Sequence, residues 1–339
     1  MRFQLHGWLF FMDSVDVPMT LTTNQQSSPK FPLKICYHEI YTNGIHPDAR
    51  FPRDRYVKLL QQLTTHSQTG MFDFVEPKQA SKSDLLIAHD SKYVNDFLTQ
   101  NLTEKEIRRI GLTPWTQDII PRTLFLMGGA ITALRHVTEY GGIAGNMAGG
   151  THHAHYDFGS GYCIFNDLAV CALLAVEKYD FERVAILDFD VHQGDGTATI
   201  LQNIENALTI SVHCQGNFPF RKSISDHDIS IPNGAEDDEY LAAIEQAILL
   251  ASEFDPDIIL YQAGVDGLAT DSLGKLNITR NGMQERNQMV FDYVTEHSIP
   301  TVVFMGGGYS EPISHTIDAF TDLFVAAAIT NEKMLSKLS

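Results

Sequence analysis

From Phe31 onward, the apolar residues follow two rhythms that alternate along the chain. Short apolar runs fit strands at 33–37, 84–88, 142–147, 184–189, 207–213, 257–263 and 300–305. Between them, apolar positions spaced three and four apart fit helices at 53–66, 91–98, 121–136, 166–178, 237–253, 280–297 and 314–328. The first of these sets Tyr56, Leu59, Leu60 and Leu63 on one face. Ser91 is the expected N-cap of the second, and Pro121 occupies the first turn of the third. Gly128, Gly129, Ala130 and Ala133 on that third helix predict a close neighbour. Strand–helix alternation predicts an α/β fold with a parallel sheet covered by helices on both faces.

No break in composition divides residues 31–330, which reads as one domain. Residues 12–30 are rich in Ser, Thr, Asn, Gln and Pro, so 1–30 is expected to be a poorly ordered or loosely docked N-terminal extension. Met12 and Met19 are alternative starts. Residues 331–339 read as a C-terminal tail.

In open parallel sheets the ligand site lies beyond the carboxyl ends of the strands, and the polar residues fall there. The run Val184–Leu187 suits a strand buried on both faces and is followed by Asp188, Asp190 and His192. A two-residue period puts all three groups on one side of an extended chain. Strand 142–147 leads to Gly149-Gly150-Thr151-His152-His153, and strand 207–213 leads to His213, Gly216 and Phe218. Strand 257–263 leads to Asp266 and Asp271, and strand 300–305 leads to three glycines and Tyr309.

Asp190, His192 and Asp266 would supply one nitrogen and two carboxylates and leave positions open. Such a set suits catalytic zinc, with iron(II) or another first-row divalent ion as the alternative. Imidazole makes it a poor calcium site. The tandem His152-His153 has no second histidine at helical i+4 spacing, which excludes an HExxH metalloprotease. A histidine near its ordinary pKa of ~6.5 can take a proton from water and return it to a leaving amine. Asp188 and Asp195 are the carboxylates available to orient the two rings. Tyr309 is a candidate phenol donor to a developing oxyanion. Asp271 is either a supporting partner or a polar loop residue, and His155 and Asp157 read as loop residues.

Composition narrows the partners. The formal net charge of -18 excludes a phosphate-backbone binder and permits cationic partners. Hydrophobic residues are 44% of the chain and charged residues 19%, so a sizeable core is expected. Cys36, Cys163, Cys171 and Cys214 are scattered with no CxxC pair, which points to a reducing compartment; a cytoplasmic location is expected, with a nuclear one as the alternative. No stretch approaches the ~20 apolar residues of a membrane span, and MRFQLHGWLFF is weak as a signal peptide.

The motifs GGTHHAHYDFGSGYCIFND, AILDFDVHQGDG, QAGVDGLATDSLG and MGGGY together resemble the zinc-dependent histone deacetylase superfamily over about residues 33–325. SVHCQGNFPFRK, GAEDDEYL and DSLGKLNIT are closest to its class IV branch and bacterial relatives. The resemblance implies the three-layer αβα fold shared with arginase, with a central, mainly parallel eight-stranded sheet. It implies one Zn2+ on Asp190, His192 and Asp266, His153 as general base and acid, and His152 as its electrostatic partner. Asp188 would bond His152, Asp195 would support His153, and Tyr309 would polarise the acyl carbonyl. Tyr162 and Phe218 would wall the channel, with Gly161 at its floor and Gly307 beside it. A structural K+ is implied around Asp188, Asp190, His192, Ser211 and Val212.

The activity so implied is removal of acetyl or longer acyl groups from the lysine ε-amine of a protein or peptide. Acetylated small amines such as acetylpolyamines are the alternative substrates. An arginase-type dimetal hydrolase and an inactive acyl-lysine-binding module are the remaining readings. The oligomeric state is left open by the sequence.

Overall fold

The computed structural model describes residues 29–67 and 70–338. Residues 1–28 of the expected N-terminal extension lie outside the described residues. Eight strands form one sheet: β1 (Leu33–Cys36), β2 (Phe72–Val75), β3 (Ile143–Asn146), β4 (Val184–Asp188), β5 (Ala207–Cys214), β6 (His227–Ile231), β7 (Ile258–Gln262) and β8 (Thr301–Phe304). Their order is β2-β1-β3-β8-β7-β4-β5-β6, and every neighbouring pair is parallel.

The central strands β3, β8, β7 and β4 are buried along their whole length. Helices on both faces leave these strands no wet side, which is why they read as continuous apolar runs. The expectation of alternating strands and helices holds, and the sheet is parallel throughout.

Eleven helices are described: α1 (Ile40–Asn43), α2 (Arg55–Ser67), α3 (Lys82–Leu86), α4 (Ser91–Leu98), α5 (Glu104–Ile110), α6 (Ile119–Tyr140), α7 (Asp167–Tyr179), α8 (Asp195–Leu201), α9 (Asp237–Phe254), α10 (Arg280–His297) and α11 (Ser314–Leu338). α6 and α7 pack side by side on one face; α2, α11, α10 and α9 follow one another across the other. The small residues of α6 have the neighbours expected. A Cβ on Gly128 would lie 1.8 Å from the Lys78 carbonyl oxygen, and one on Gly129 would lie 2.5 Å from Asn146 Oδ1.

The structure corrects several boundaries. The run 84–88 is not a strand. Ser81 and Asp84 form a reciprocal capping box that starts α3, so local hydrogen bonding outweighs the apolar run. The cap of α4 is Asp90, whose Oδ1 accepts the N–H groups of Lys92 and Tyr93 at 2.9 and 3.0 Å; Ser91 is already helical.

At the C-terminal end, α11 continues to Leu338, so residues 331–338 extend the last helix. Glu332 accepts the backbone N–H groups of Lys30 and Phe31, and Asn331 accepts that of Ile143 at 2.8 Å. The expected tail therefore fastens the start of the described chain to the sheet.

Candidate metal centre and active site

The carboxyl ends of β3, β4, β5, β7 and β8 open onto a cavity of about 260 Å3. Its lining includes His152, His153, Gly161, Tyr162, Asp190, His192, Phe218, Gly307 and Tyr309. The sequence-predicted residues Asp188, Asp195 and Asp266 stand behind that lining.

Asp190, His192 and Asp266 each offer a ligand atom, all within 4.8 Å of one another, and all three residues are buried. His192 Nδ1 lies 3.1 Å from Asp190 Oδ1 and 3.1 Å from Asp266 Oδ2. Backbone donors fix the carboxylates: Gly307 N–H reaches Asp190 Oδ2 at 2.7 Å, and Val191 N–H reaches Asp266 Oδ1 at 2.9 Å. Gly307 must lack a side chain, because a Cβ there would lie 1.9 Å from Asp266 Oδ2.

Burial, and then the charge of Asp190, push the Asp266 carboxyl up to about 7. Two carboxylates confined together out of water repel unless a cation joins them. The donor set and its electrostatics fit a divalent metal.

The tandem histidines hold different partners. His152 Nδ1 lies 2.8 Å from Asp188 Oδ2, and His153 Nδ1 lies 2.6 Å from Asp195 Oδ1. Burial opposes charge on His152, but Asp188 and Asp190 outweigh it and raise its pKa to about 9. For His153, burial and then the neighbouring His152 charge lower it to about 4. The ring centroids are 4.1 Å apart, so the two imidazoles are in contact while their carboxylate partners differ. Divergent protonation within a pair is a mark of acid–base chemistry.

The loop carrying these histidines is tied to α7. Asp167 accepts the N–H groups of Gly150 and Thr151 at 2.9 and 2.7 Å, while Gln262 Nε2 donates to the Gly150 carbonyl at 2.9 Å. Gly149 and Gly150 have φ of +92° and +72°, backbone that side chains disfavour.

Tyr309 is held by its backbone, whose N–H donates to Asp271 Oδ2 at 2.6 Å. Among the described residues its hydroxyl makes no hydrogen bond. Burial raises the phenol well above its ordinary value; Arg55 opposes and Asp266 adds to the rise, so the hydroxyl stays protonated as a donor. Tyr162 stands 6.0 Å from Tyr309, centroid to centroid, and Phe218 stands 4.9 Å from His153, nearly perpendicular to it. A small void of about 10 Å3 touches Asp188 and Ser211 of the expected potassium site. Asp190, His192 and Val212 are outside its lining.

His155, expected to be a loop residue, belongs to the site. Its Nε2 lies 3.1 Å from Asp195 Oδ2 and its Nδ1 lies 2.9 Å from the Thr199 hydroxyl. Asp157 remains exposed. Sequence reasoning also missed Arg55, which is buried and donates to the carbonyls of Gly306 and Gly308 at 3.0 and 3.2 Å. It lay hidden on an amphipathic helix. Asn217, whose amide nitrogen lies 3.3 Å from His192 Nε2, had no signal beyond its position next to Phe218.

The histone deacetylase domain model matches residues 49–324. An uncharacterized protein of Picosynechococcus is 38% identical over 280 residues, covering 82% of this chain and 93% of that one. Histone deacetylase 2 of Arabidopsis thaliana is 32% identical over 323 residues, covering 92% and 80%. A probable deacetylase of Archaeoglobus fulgidus is 30% identical, with 81% of each chain covered. Fold and site thus define a three-layer α/β protein with a buried two-carboxylate, one-imidazole centre suited to a metal. The chain belongs to the histone deacetylase family and is a hydrolytic deacetylase.

Proposed function

We propose that the protein removes acetyl or longer acyl groups from the ε-amine of lysine in proteins or peptides. The observation that carries this is the convergence, on one cavity, of His153, Tyr309 and two of the three members of a buried metal-ligand set, with the third, Asp266, directly behind.

Asp190, His192 and Asp266 would hold Zn2+, with Fe2+ as the alternative. When bound, the metal acidifies water and polarises the amide carbonyl. His153 Nδ1–H donates to Asp195, which leaves Nε2 free to accept a proton from the attacking water. His152, held by Asp188 against the His153 ring, would lower the basicity of His153, so the proton is readily passed on to the departing amine. Tyr309 donates its hydroxyl to the carbonyl oxygen as negative charge develops there. The C–N bond breaks, and the products are a carboxylate and a free lysine. Tyr162 and Phe218 flank the alkyl stem, with Gly161 and Gly307 allowing close approach.

The structural K+ that the resemblance implies would lie near Asp188 and Ser211, which share the lining of one small void. Four free, buried thiols accord with a cytoplasmic location.

The test is zinc-loaded protein on one lysine peptide carrying acyl groups from acetyl to myristoyl. Activity on at least one chain length, lost by about 10²–10³ in Tyr309→Phe with metal content unchanged, is expected. A Tyr309→Phe rate equal to wild type would remove the oxyanion role. A metal stoichiometry near two would favour the arginase-type reading, and inactivity on every chain length would favour a binding module.

A further inference from the structure

The segment that carries Phe218 continues outward to Phe220, which is 87% exposed yet lines the cavity. The two rings meet edge to face at 6.3 Å. Across the opening, Leu273 is 42% exposed and also lines the cavity. Two large apolar side chains on opposite sides of the opening, both lining it, form an apolar rim that a ligand could cover.

This lip is braced. Asn217 Nδ2 donates to the Leu273 carbonyl at 2.7 Å, joining the loop after β5 to the loop after β7. Lys222 Nζ donates to the carbonyls of Asn217 and Pro219 at 2.7 and 2.8 Å, and Lys275 Nζ donates to that of Gly216 at 2.7 Å. Neither ammonium has a carboxylate partner among the described residues.

Among the described residues, Asp190 is the only carboxylate that lines the cavity, and it belongs to the metal set. The protein has 42 acidic and 24 basic residues, so an entrance carrying Lys275 with no ion pair among the described residues runs against its overall charge. A polycation approaching this mouth meets the like charge of Lys275 and, among the described lining residues, no carboxylate besides Asp190. An acyl-lysine flanked by an apolar side chain meets Phe220 and Leu273, and an acidic group beyond it meets Lys275.

We propose that Phe220, Leu273 and Lys275 form a specificity-determining lip. It selects acyl-lysine in protein segments with apolar and acidic neighbours and disfavours acetylated polyamines. This rests on the lysine deacylase reading above and names its substrate class.

The experiment measures kcat/KM of the zinc-loaded full chain on acyl-lysine peptides of one length. The residue beside the acyl-lysine is Gly, Phe, Glu or Lys, with an acetylpolyamine run in parallel. Phe is expected to exceed Gly, and Glu to exceed Lys, each by about tenfold, because one buried hydrophobe or one charge at close range is worth that much. The acetylpolyamine should fall below every peptide.

Phe220→Ala should bring the Phe-to-Gly ratio towards one, and Lys275→Glu should reverse the Glu-to-Lys preference. Because Lys275 also braces the lip, the Glu-to-Lys ratio of the wild type is measured from ~0.05 to ~0.5 M salt as well, where screening should shrink it. Equal rates across the peptides, preferences that survive both substitutions, or preference for the polyamine would overturn the lip. Inactivity of the wild type on all substrates would instead overturn the lysine deacylase reading.

Discussion

Asp271 holds the backbone of Tyr309, accepting its N–H at 2.6 Å through Oδ2 while Oδ1 accepts the N–H groups of Leu273 and Gly274, each at 2.9 Å. One carboxylate thus joins the loop after β7 to the glycine loop after β8. Asp271→Ala should lower kcat by about 10–10², the usual cost of a slightly misplaced catalytic group, with a smaller change in KM. Metal content should stay at the wild-type level. Steady-state kinetics with metal analysis checks both, and an unchanged kcat would show that Tyr309 is positioned without Asp271.

Asp195 is shared by His153 and His155, and the two imidazoles pull its pKa down against the effect of burial. Replacing the carboxylate by an amide permits a donor to face His153 Nδ1, which would move the ring proton to Nε2 and remove the base. Asp195→Asn is therefore expected to lose about 10³–10⁴ in kcat. His155→Ala leaves that carboxylate in place and removes one of its two supports, so a loss of about tenfold or less is expected. His155→Gln, which keeps an N–H donor, should recover part of it. Equal losses in Asp195→Asn and His155→Ala would contradict this ordering.

Much of the site was legible because it sits where sequence patterns are strongest. Asp188, Asp190 and His192 follow a buried strand at a strict two-residue period, and the glycines announce backbone close to a ligand. The edge strands β2 and β6 were not legible. Both are short and half-exposed, and their polar positions dilute the apolar signal. His155 and Arg55 escaped for another reason: their roles depend on partners 40 and more than 250 residues away. Local pattern carries no information about such pairings. Asp271 was visible as a polar residue, but only the folded loop shows that it meets Tyr309.

The metal set makes a stability prediction separable from activity. Asp190 and Asp266 repel each other in a buried site, so dialysis against a chelator should lower Tm, and zinc should restore it. At zinc about 100 times above its Kd the gain is ~2.7 kcal/mol, or roughly 4 °C for a chain of this size. Asp266→Asn relieves the repulsion and keeps an acceptor for Val191 N–H. The metal-free variant should therefore melt above the metal-free wild type, and its zinc-dependent rise should vanish. Calorimetry across a zinc titration reads both; a variant whose Tm still climbs with zinc would remove Asp266 from the ligand set.

His89 makes stability depend on pH away from the metal. It is buried; its Nδ1 lies 3.0 Å from the His155 carbonyl, and its Nε2 accepts the N–H of Asn166 at 2.9 Å. Accepting that bond requires a neutral ring with its proton on Nδ1. Burial, opposed by the two backbone carbonyls, lowers the pKa from 6.5 to about 4. The unfolded chain therefore binds this proton first. The contribution of His89 is complete above pH ~6.5 and declines as pH falls towards the folded value, by about 2 kcal/mol at pH ~5. His89→Gln can supply one donor and one acceptor in the same place without titrating. Its denaturant-derived stability should fall less than that of the wild type between pH ~7 and pH ~5, by about that amount, while His213, also lowered to about 4, contributes equally to both proteins and cancels. Parallel pH profiles for the two proteins would mean that His89 is protonated without loss in the folded state.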